Sequence, residues 1–382
     1  MEVLFLGTSA GCPSATRNVQ ACAVRLETGD YMIVDGGEGT QQQLLKASKK
    51  GDGRFRAGKC RVVLVTHLHG DHSFGLPGLI VYLDSAAATN APPLQVVGPV
   101  GLAVFLRSAL ALSRTELKRG YRVTELVVEE FDGPYEACAR TVAAPGLHPD
   151  ERPGALLAPD DEHGWRFETL LPADCVLSAA PLAHGAIACV GYRFAEAEAP
   201  GSIDAPRAAV DAARAGDDAR RVCRALRAAA LNGTDMLLLA DGTELNVADG
   251  FIGPVTRRGR TIVILGDCCH PGGACSPATL KLAANADVLV HEATLDDAFA
   301  ALAQERGHST PSDAARVAAR AGAAHLVLWH FSPRYRDDDA FRTTFTDAVA
   351  AHFGGALTLA ADFARVAVPR AKGLPPPPPP PP

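Results

Sequence analysis

Directly after the apolar stretch at 61–66, the segment Thr66-His67-Leu68-His69-Gly70-Asp71-His72 places four potential metal ligands within six positions. A strand that ends in a tight loop can turn alternating side chains toward one point, and Gly70 is expected to permit the bend. Imidazoles with a carboxylate suit zinc, and four ligands are more than one open catalytic ion takes from a single loop. Two ions close together are the natural arrangement, one taking His67 and His69, the other Asp71 and His72. The bland alternative, a polar loop or histidines hydrogen-bonded in a core, fits a lone histidine better than this density.

Two ions need further ligands, and three later residues stand in the same setting. His184 follows the apolar run 176–183, Asp267 follows 262–265, and His330 follows 326–329. Each is a ligand-type residue at the carboxyl end of a predicted strand, where loops from one sheet edge converge. Asp267, with two carboxylate oxygens, is the candidate bridge between the ions. Cys268 and Cys269 adjoin it. Neighbouring side chains of an extended segment point in opposite directions, so at most one can face the ions. Both are read as packing residues.

Short strands are predicted at 3–6, 21–26, 31–35, 123–131, 138–143, 175–182, 189–194, 261–265, 288–291 and 326–329, with a terminal strand pair at 356–361 and 365–368. Helices are expected at 39–48, 76–83, 99–112 and 312–321, and a helical excursion from 195 to about 231. The Pro-, Asp- and Gly-rich stretch 146–165 reads as a surface insertion. Strands alternating with helices suggest two mixed sheets with helices outside. Eight consecutive prolines at 375–382 can only form an extended polyproline segment, expected as a disordered tail at 373–382 behind one domain at 1–372.

A chain of 382 residues with 47% apolar and 21% charged residues can bury a core, and its net charge of −6 argues weakly against a surface coated for polyanions. A local basic patch or bound metal still leaves nucleic acid open. The ten cysteines are scattered without a Cys-x-x-Cys pair, which reads as reduced thiols in a reducing compartment. The amino terminus lacks a basic region and a long apolar run, so no signal or membrane segment is expected. The expectation is a cytoplasmic protein, with a nuclear or organellar location left open.

The pattern His67-x-His69-x-Asp71-His72 with later His, Asp and His ligands resembles the metallo-β-lactamase superfamily. Flanking residues narrow the resemblance to the ribonuclease Z family: Gly7-Thr8-Ser9-Ala10-Gly11-Cys12-Pro13, Asp35-Gly36-Gly37-Glu38-Gly39-Thr40-Gln41, Phe74-Gly75-Leu76-Pro77-Gly78, His291-Glu292-Ala293-Thr294, Gly307-His308-Ser309-Thr310 and His330-Phe331-Ser332. The resemblance implies a four-layer αβ/βα sandwich with a protruding arm, and two zinc ions per subunit. It assigns His67, His69 and His184 to one ion, Asp71, His72 and His330 to the other, and Asp267 to both. It implies an endoribonuclease that removes the 3′ trailer of precursor tRNA, with Asp71 as proton acceptor, His308 as proton donor to the leaving 3′ oxygen, and Glu292 tuning His308. It also implies a homodimer in which one subunit's arm presents tRNA to the partner's site.

The arm corresponds to 195–260, which carries nine basic against ten acidic residues. Arg220, Arg221, Arg224 and Arg227 fall within eight positions there, and 220, 224 and 227 share a helix face. They are candidate phosphate contacts, with Arg257, Arg258 and Arg260 as a second group. A solvated, salt-bridged helix is the competing reading. The family's Gly-Pro signature of the arm is matched only by Gly253-Pro254, away from any arm tip. Two other functions remain open: a related phosphodiesterase acting on cyclic nucleotides or small phosphodiesters, and a non-catalytic RNA-binding relative. A small closed pocket favours the first, and a broken ligand set the second.

Overall fold

Alternate residues of the first strand, β1 (Glu2–Gly7), enter different cores: Val3 and Phe5 one, Leu4 and Leu6 another. A strand buried on both faces must lie in an inner layer. The computed structural model describes residues 1–50, 53–88, 90–128, 131, 148–160, 164–171, 175–198, 205–232, 234, 236–247 and 258–369. Contacts divide these into two units, Met1–Ala195 with Thr261–Val368, and Glu196–Arg260.

In the first unit, β1, β2 (Ala21–Arg25), β3 (Tyr31–Val34), β4 (Cys60–Leu64), β5 (Leu94–Pro99), β6 (Tyr121–Leu126) and β7 (Glu151–Leu157) form one sheet. A second sheet holds β8 (Trp165–Phe167), β9 (Cys175–Leu182) and β10 (Cys189–Glu196). It continues, after two short strands of the other unit, with β13 (Thr261–Ile264), β14 (Val288–Glu292), β15 (His325–Trp329) and β16 (Ala356–Leu359). The last strand, β17 (Arg365–Ala367), pairs with β1 in the first sheet. Ile262, Ile264, Val290, Val327 and Trp329 face Val3, Phe5, Val62 and Leu64 in the core between the sheets. Helices Thr40–Lys50, Leu76–Ser85 and Leu102–Leu112 cover the first sheet, burying Leu44, Leu79 and Leu106. Helices Pro277–Ala283, Pro311–Ala321 and Asp339–Ala350 cover the second, burying Leu282, Val317 and Phe345. The order helix, sheet, sheet, helix is the four-layer sandwich expected.

Register aligns the strand ends that matter. Val34 pairs with Leu64, so Asp35 and Thr66 leave the first sheet at the same edge. Ile264 pairs with Val290 and Glu292 with Trp329, so the chain runs on to Asp267 and His330 beside Glu292.

Two expectations change. The segment read as a surface insertion contains β7, which pairs in parallel with β6 at the end of its sheet. An edge strand tolerates Pro153, and Gly154 is required because a Cβ there would lie 1.8 Å from the Val123 carbonyl oxygen. The terminal strands do not pair with each other: β16 joins β15 and β17 joins β1, so this segment closes both sheets. The bend at Gly70 takes the form of a one-turn helix, Gly70–Ser73. The expected strand at 138–143 and the tail at 373–382 lie outside the described residues.

The second unit has helices Ala205–Arg214 and Ala219–Asn232 and a hairpin of β11 (Met236–Leu238) and β12 (Glu244–Asn246) that the sequence did not announce. Ala208, Ala212, Val222, Leu226 and Leu245 form its own small core.

Candidate metal centre and its surroundings

All seven expected ligands converge. His67 Nε2 lies 2.9 Å from His69 Nδ1, which is 3.3 Å from His184 Nε2. Asp267 Oδ2 stands 3.8 Å from both His67 Nε2 and His184 Nε2. In the second group His72 Nε2 is 3.3 Å from His330 Nε2 and 3.5 Å from Asp71 Oδ2. Asp267 reaches this group too, 3.4 Å from His72 Nε2 and 3.3 Å from His330 Nε2. Asp267 therefore stands between the two clusters, as a bridging carboxylate must.

Hydrogen bonding on the far side of each ring fixes what faces inward. The Gly307 carbonyl, 2.8 Å from His184 Nδ1, can only accept, so that nitrogen carries a proton and Nε2 is the atom left to ligate. Thr66 donates its hydroxyl hydrogen to Asp35, leaving its oxygen, at 3.1 Å, to accept from His67 Nδ1. Thr294 donates to Glu292 at 2.6 Å and accepts from His330 Nδ1 at 2.8 Å. Asp35 Oδ2 takes His72 Nδ1 at 2.8 Å. In the neutral rings that metal ligation requires, four Nε2 lone pairs point at one another and at two carboxylates, an arrangement that without cations between must take up protons instead. Asp267 Oδ1, buried without a hydrogen-bond partner, says the same. The donor set fits two metal ions.

These outer partners are what the sequence reading missed. Asp35 follows β3 as Asp267 follows β13, so the same strand-end rule marks it, yet it grips a ligand instead of being one. Carboxylate and carbonyl partners of this kind orient ligating imidazoles. Asp35 and His330 are both non-glycine residues in the left-handed region, at φ 64° and 58°. Such positions cost on the order of 1–3 kcal/mol and persist where surrounding contacts hold them. Gly37 is needed for close approach, since a Cβ there would meet the Asp71 carbonyl oxygen at 2.0 Å.

Burial pushes the His72 pKa down, but Asp267 and Asp35 outweigh it and raise it. Asp71 is driven up by burial but held below the usual carboxylate range by hydrogen bonds from His330 and His72. Gly11 also donates its N–H to Asp71 Oδ2 at 2.6 Å, so the opening loop anchors this residue.

His308 stands beside the centre, Nδ1 being 2.9 Å from Glu292 Oε1 and 3.8 Å from Asp267 Oδ2. Burial lowers its pKa, but Glu292 reverses the effect and lifts it to about 9. Glu292 is fully buried, and its other oxygen is held by Thr294. A cavity of about 250 Å³ opens onto His69, Asp71, Asp267, His308 and His330, with Arg306 and Arg334 on its lining.

On the arm-like unit, Arg220 and Arg224 are exposed on helix Ala219–Asn232. Arg221 is also exposed but pairs with Asp217 one turn earlier. Arg260 is buried in a bidentate pair with Glu196, Nε to Oε2 at 2.7 Å and Nη2 to Oε1 at 2.6 Å, which corrects its reading as a phosphate contact. Arg258 is half-buried; Arg257 and the Arg227 side chain lie outside the described residues. Cys269 faces the Gln304 carbonyl, and Cys268 is fully buried outside both ligand groups. Among the described residues no helix is long and apolar enough to cross a membrane.

Comparison with known proteins gives a consistent set. Residues 16–137 match the model of the metallo-beta-lactamase superfamily. The chain is 36% identical to zinc phosphodiesterase ELAC protein 1 of Homo sapiens over 97% of this chain and 99% of that protein. It is 33% identical to ribonuclease Z of Halalkalibacterium halodurans over 98% of this chain and 100% of that one. The crystal structure of human tRNase Z, short form, superposes with a TM-score of 0.61 at 31% identity, covering 97% of this chain and 100% of that chain.

Proposed function

The chain belongs to the ribonuclease Z family of the metallo-β-lactamase superfamily, and we propose on that premise that it is a zinc-dependent endoribonuclease removing the 3′ trailer from precursor tRNA. The observation that carries this reading is the convergence of seven ligands with the His308–Glu292 pair at the same cavity.

His67, His69 and His184 would hold one zinc ion, Asp71, His72 and His330 the other, with Asp267 shared. Bound there, the ions supply Lewis acidity that polarises the scissile phosphodiester and acidifies the attacking water. Asp71 accepts the proton of that water; its depressed pKa keeps it ionised but makes it a weak base, adequate only for a water already acidified. His308, kept protonated by Glu292, donates to the departing 3′ oxygen, leaving a 3′-hydroxyl on the tRNA and the phosphate on the trailer. Arg306 and Arg334 on the cavity lining suit a phosphate-rich substrate.

The unit at Glu196–Arg260 reads as the tRNA-gripping arm of a single nuclease domain, with Arg220 and Arg224 as its exposed cations, and the working assembly as a homodimer. The described cysteines are all free, which suits a reducing compartment such as the cytoplasm. Incubating the purified chain with a 3′-extended precursor tRNA, with and without chelator, and mapping the cut tests the reading. A single chelator-sensitive cut at the 3′ end of the mature tRNA is expected. Turnover of small phosphodiesters with the precursor left intact favours the related phosphodiesterase, and a bound but uncut precursor the non-catalytic relative. Sedimentation tests the dimer.

A further inference from the structure

Next to the seven ligands, but sharing none of them, lies a second kind of cluster. Cys268, His270 and His291 each present one donor atom, and the three atoms lie within 4.8 Å of one another. His270 Nδ1 is 3.0 Å from His291 Nε2, and Cys268 Sγ is 3.8 Å from that same nitrogen. An ion bound by one sulfur at about 2.3 Å and two imidazoles at about 2.0–2.1 Å sets its ligands roughly 3.3–3.6 Å apart between nitrogens and roughly 3.5–3.8 Å between sulfur and nitrogen. The two distances just given lie within a few tenths of an ångström of that geometry, and the third pair, Cys268 with His270, lies within 4.8 Å.

The tautomer of the central ring is determined. His291 Nδ1 lies 2.7 Å from the Glu292 carbonyl, which can only accept, so Nδ1 carries the proton and Nε2 offers a lone pair to the cluster. The other two residues are held from outside it. Ser309 accepts from the His270 N–H at 3.1 Å and donates to the Cys268 carbonyl at 2.6 Å, and Glu292 Oε1 accepts the Cys268 N–H at 3.0 Å. All three side chains are buried, at 0% exposure for Cys268 and His291 and 1% for His270. Backbone alternation explains the separation: in the extended segment, Asp267 turns to the main centre and Cys268 turns away from it.

We propose that Cys268, His270 and His291 form a third metal site, one that binds a thiophilic divalent ion, zinc in the first instance. On binding, the Cys268 thiol releases its proton to solvent and the thiolate becomes a ligand, while both imidazoles bind as neutral donors. The site ties the loop after β13, which carries Asp267, to the end of β14, which carries Glu292. Its role is to hold that carboxylate pair in register.

Cobalt distinguishes this site from the main one, whose donors are all nitrogen and oxygen. The full chain loaded with Co2+ should show a near-ultraviolet sulfur-to-cobalt charge-transfer band that Cys268→Ser abolishes. Metal content of the zinc protein, measured by plasma emission, should fall by one ion per chain in Cys268→Ser and in His270→Gln. The second variant keeps the thiol and serves if the first does not fold. A wild-type protein without the band, a band that survives Cys268→Ser, or an unchanged metal content in folded His270→Gln would each overturn the site and leave a hydrogen-bonded Cys–His–His trio.

Discussion

Glu292 Oε1 lies 2.9 Å from His308 Nδ1 while Glu292 Oε2 accepts from Thr294, so one buried carboxylate sets the protonation of His308 and, through Thr294, the orientation of His330. The proposed proton donor and a candidate metal ligand are thereby fixed by the same residue. Its loss touches both functions, which gives the pair a recognisable signature in pH profiles.

His308 is raised to about 9, so it is protonated below that pH and loses its proton as pH rises through it. As a general acid it should give a descending alkaline limb in kcat, at or below about 9 because bound cations repel the imidazolium. In Glu292→Gln that limb should move toward the ordinary histidine range. His308→Ala should slow cleavage by ~10²–10⁴-fold. An undiminished rate in His308→Ala removes the residue from the mechanism. The same linkage acts on stability. The pair's contribution is complete below the unfolded histidine pKa and is lost as pH rises through the folded value, which urea titrations across that window will read.

Asp71→Ala should abolish cleavage while the chain remains folded and still binds tRNA, because grip comes from phosphate contacts elsewhere. Circular dichroism and a gel-shift titration accompany the cleavage assay. Binding lost together with cleavage would place Asp71 in substrate recognition.

Asp35→Asn should lower zinc affinity by roughly 10–100-fold, the usual effect of losing a carboxylate behind a ligating histidine. The bond at stake is the 2.8 Å contact to His72 Nδ1. Competition with a chromogenic chelator measures it, and wild-type affinity would reduce Asp35 to a backbone anchor for Thr66.

Zinc should raise the thermal midpoint in a concentration-dependent way, since the ions bind the folded ligand set and not the unfolded chain. Stripping them leaves the inward imidazole nitrogens crowded beside Asp71 and Asp267 with only protons between them. A midpoint indifferent to chelator would mean that the ligand set does not bind the ions in the folded chain.

Arg220→Ala with Arg224→Ala should weaken tRNA binding and make its salt dependence shallower by about two counterions, with a small phosphodiester still hydrolysed at the wild-type rate. Arg221→Ala should matter less, because Asp217 already neutralises that side chain. Equal effects from all three would mean the Asp217 pair opens on RNA.

The convergence of the candidate ligands was legible in the sequence because their segments follow apolar strands, and a strand's end fixes where the next side chain emerges. His67, His184, Asp267 and His330 needed no more than that periodicity. The strand layers were legible for the same reason, Val3 and Phe5 alternating with Leu4 and Leu6. What the sequence could not determine depends on partners distant along the chain. Asp35 meets His72 across 37 positions and His184 meets Gly307 across 123, contacts that local pattern does not encode. Charge counting offered Arg260 as a phosphate contact, and only its burial against Glu196 withdrew it. The segment holding β7 looked like an insertion because Pro153 and Gly154 read as loop residues; the free edge of β6 made it a strand. Residue type and spacing thus fixed which atoms can bind metal, while the fold decided which proton, carbonyl or carboxylate stands behind each one, because that choice is made by packing between strands remote in sequence.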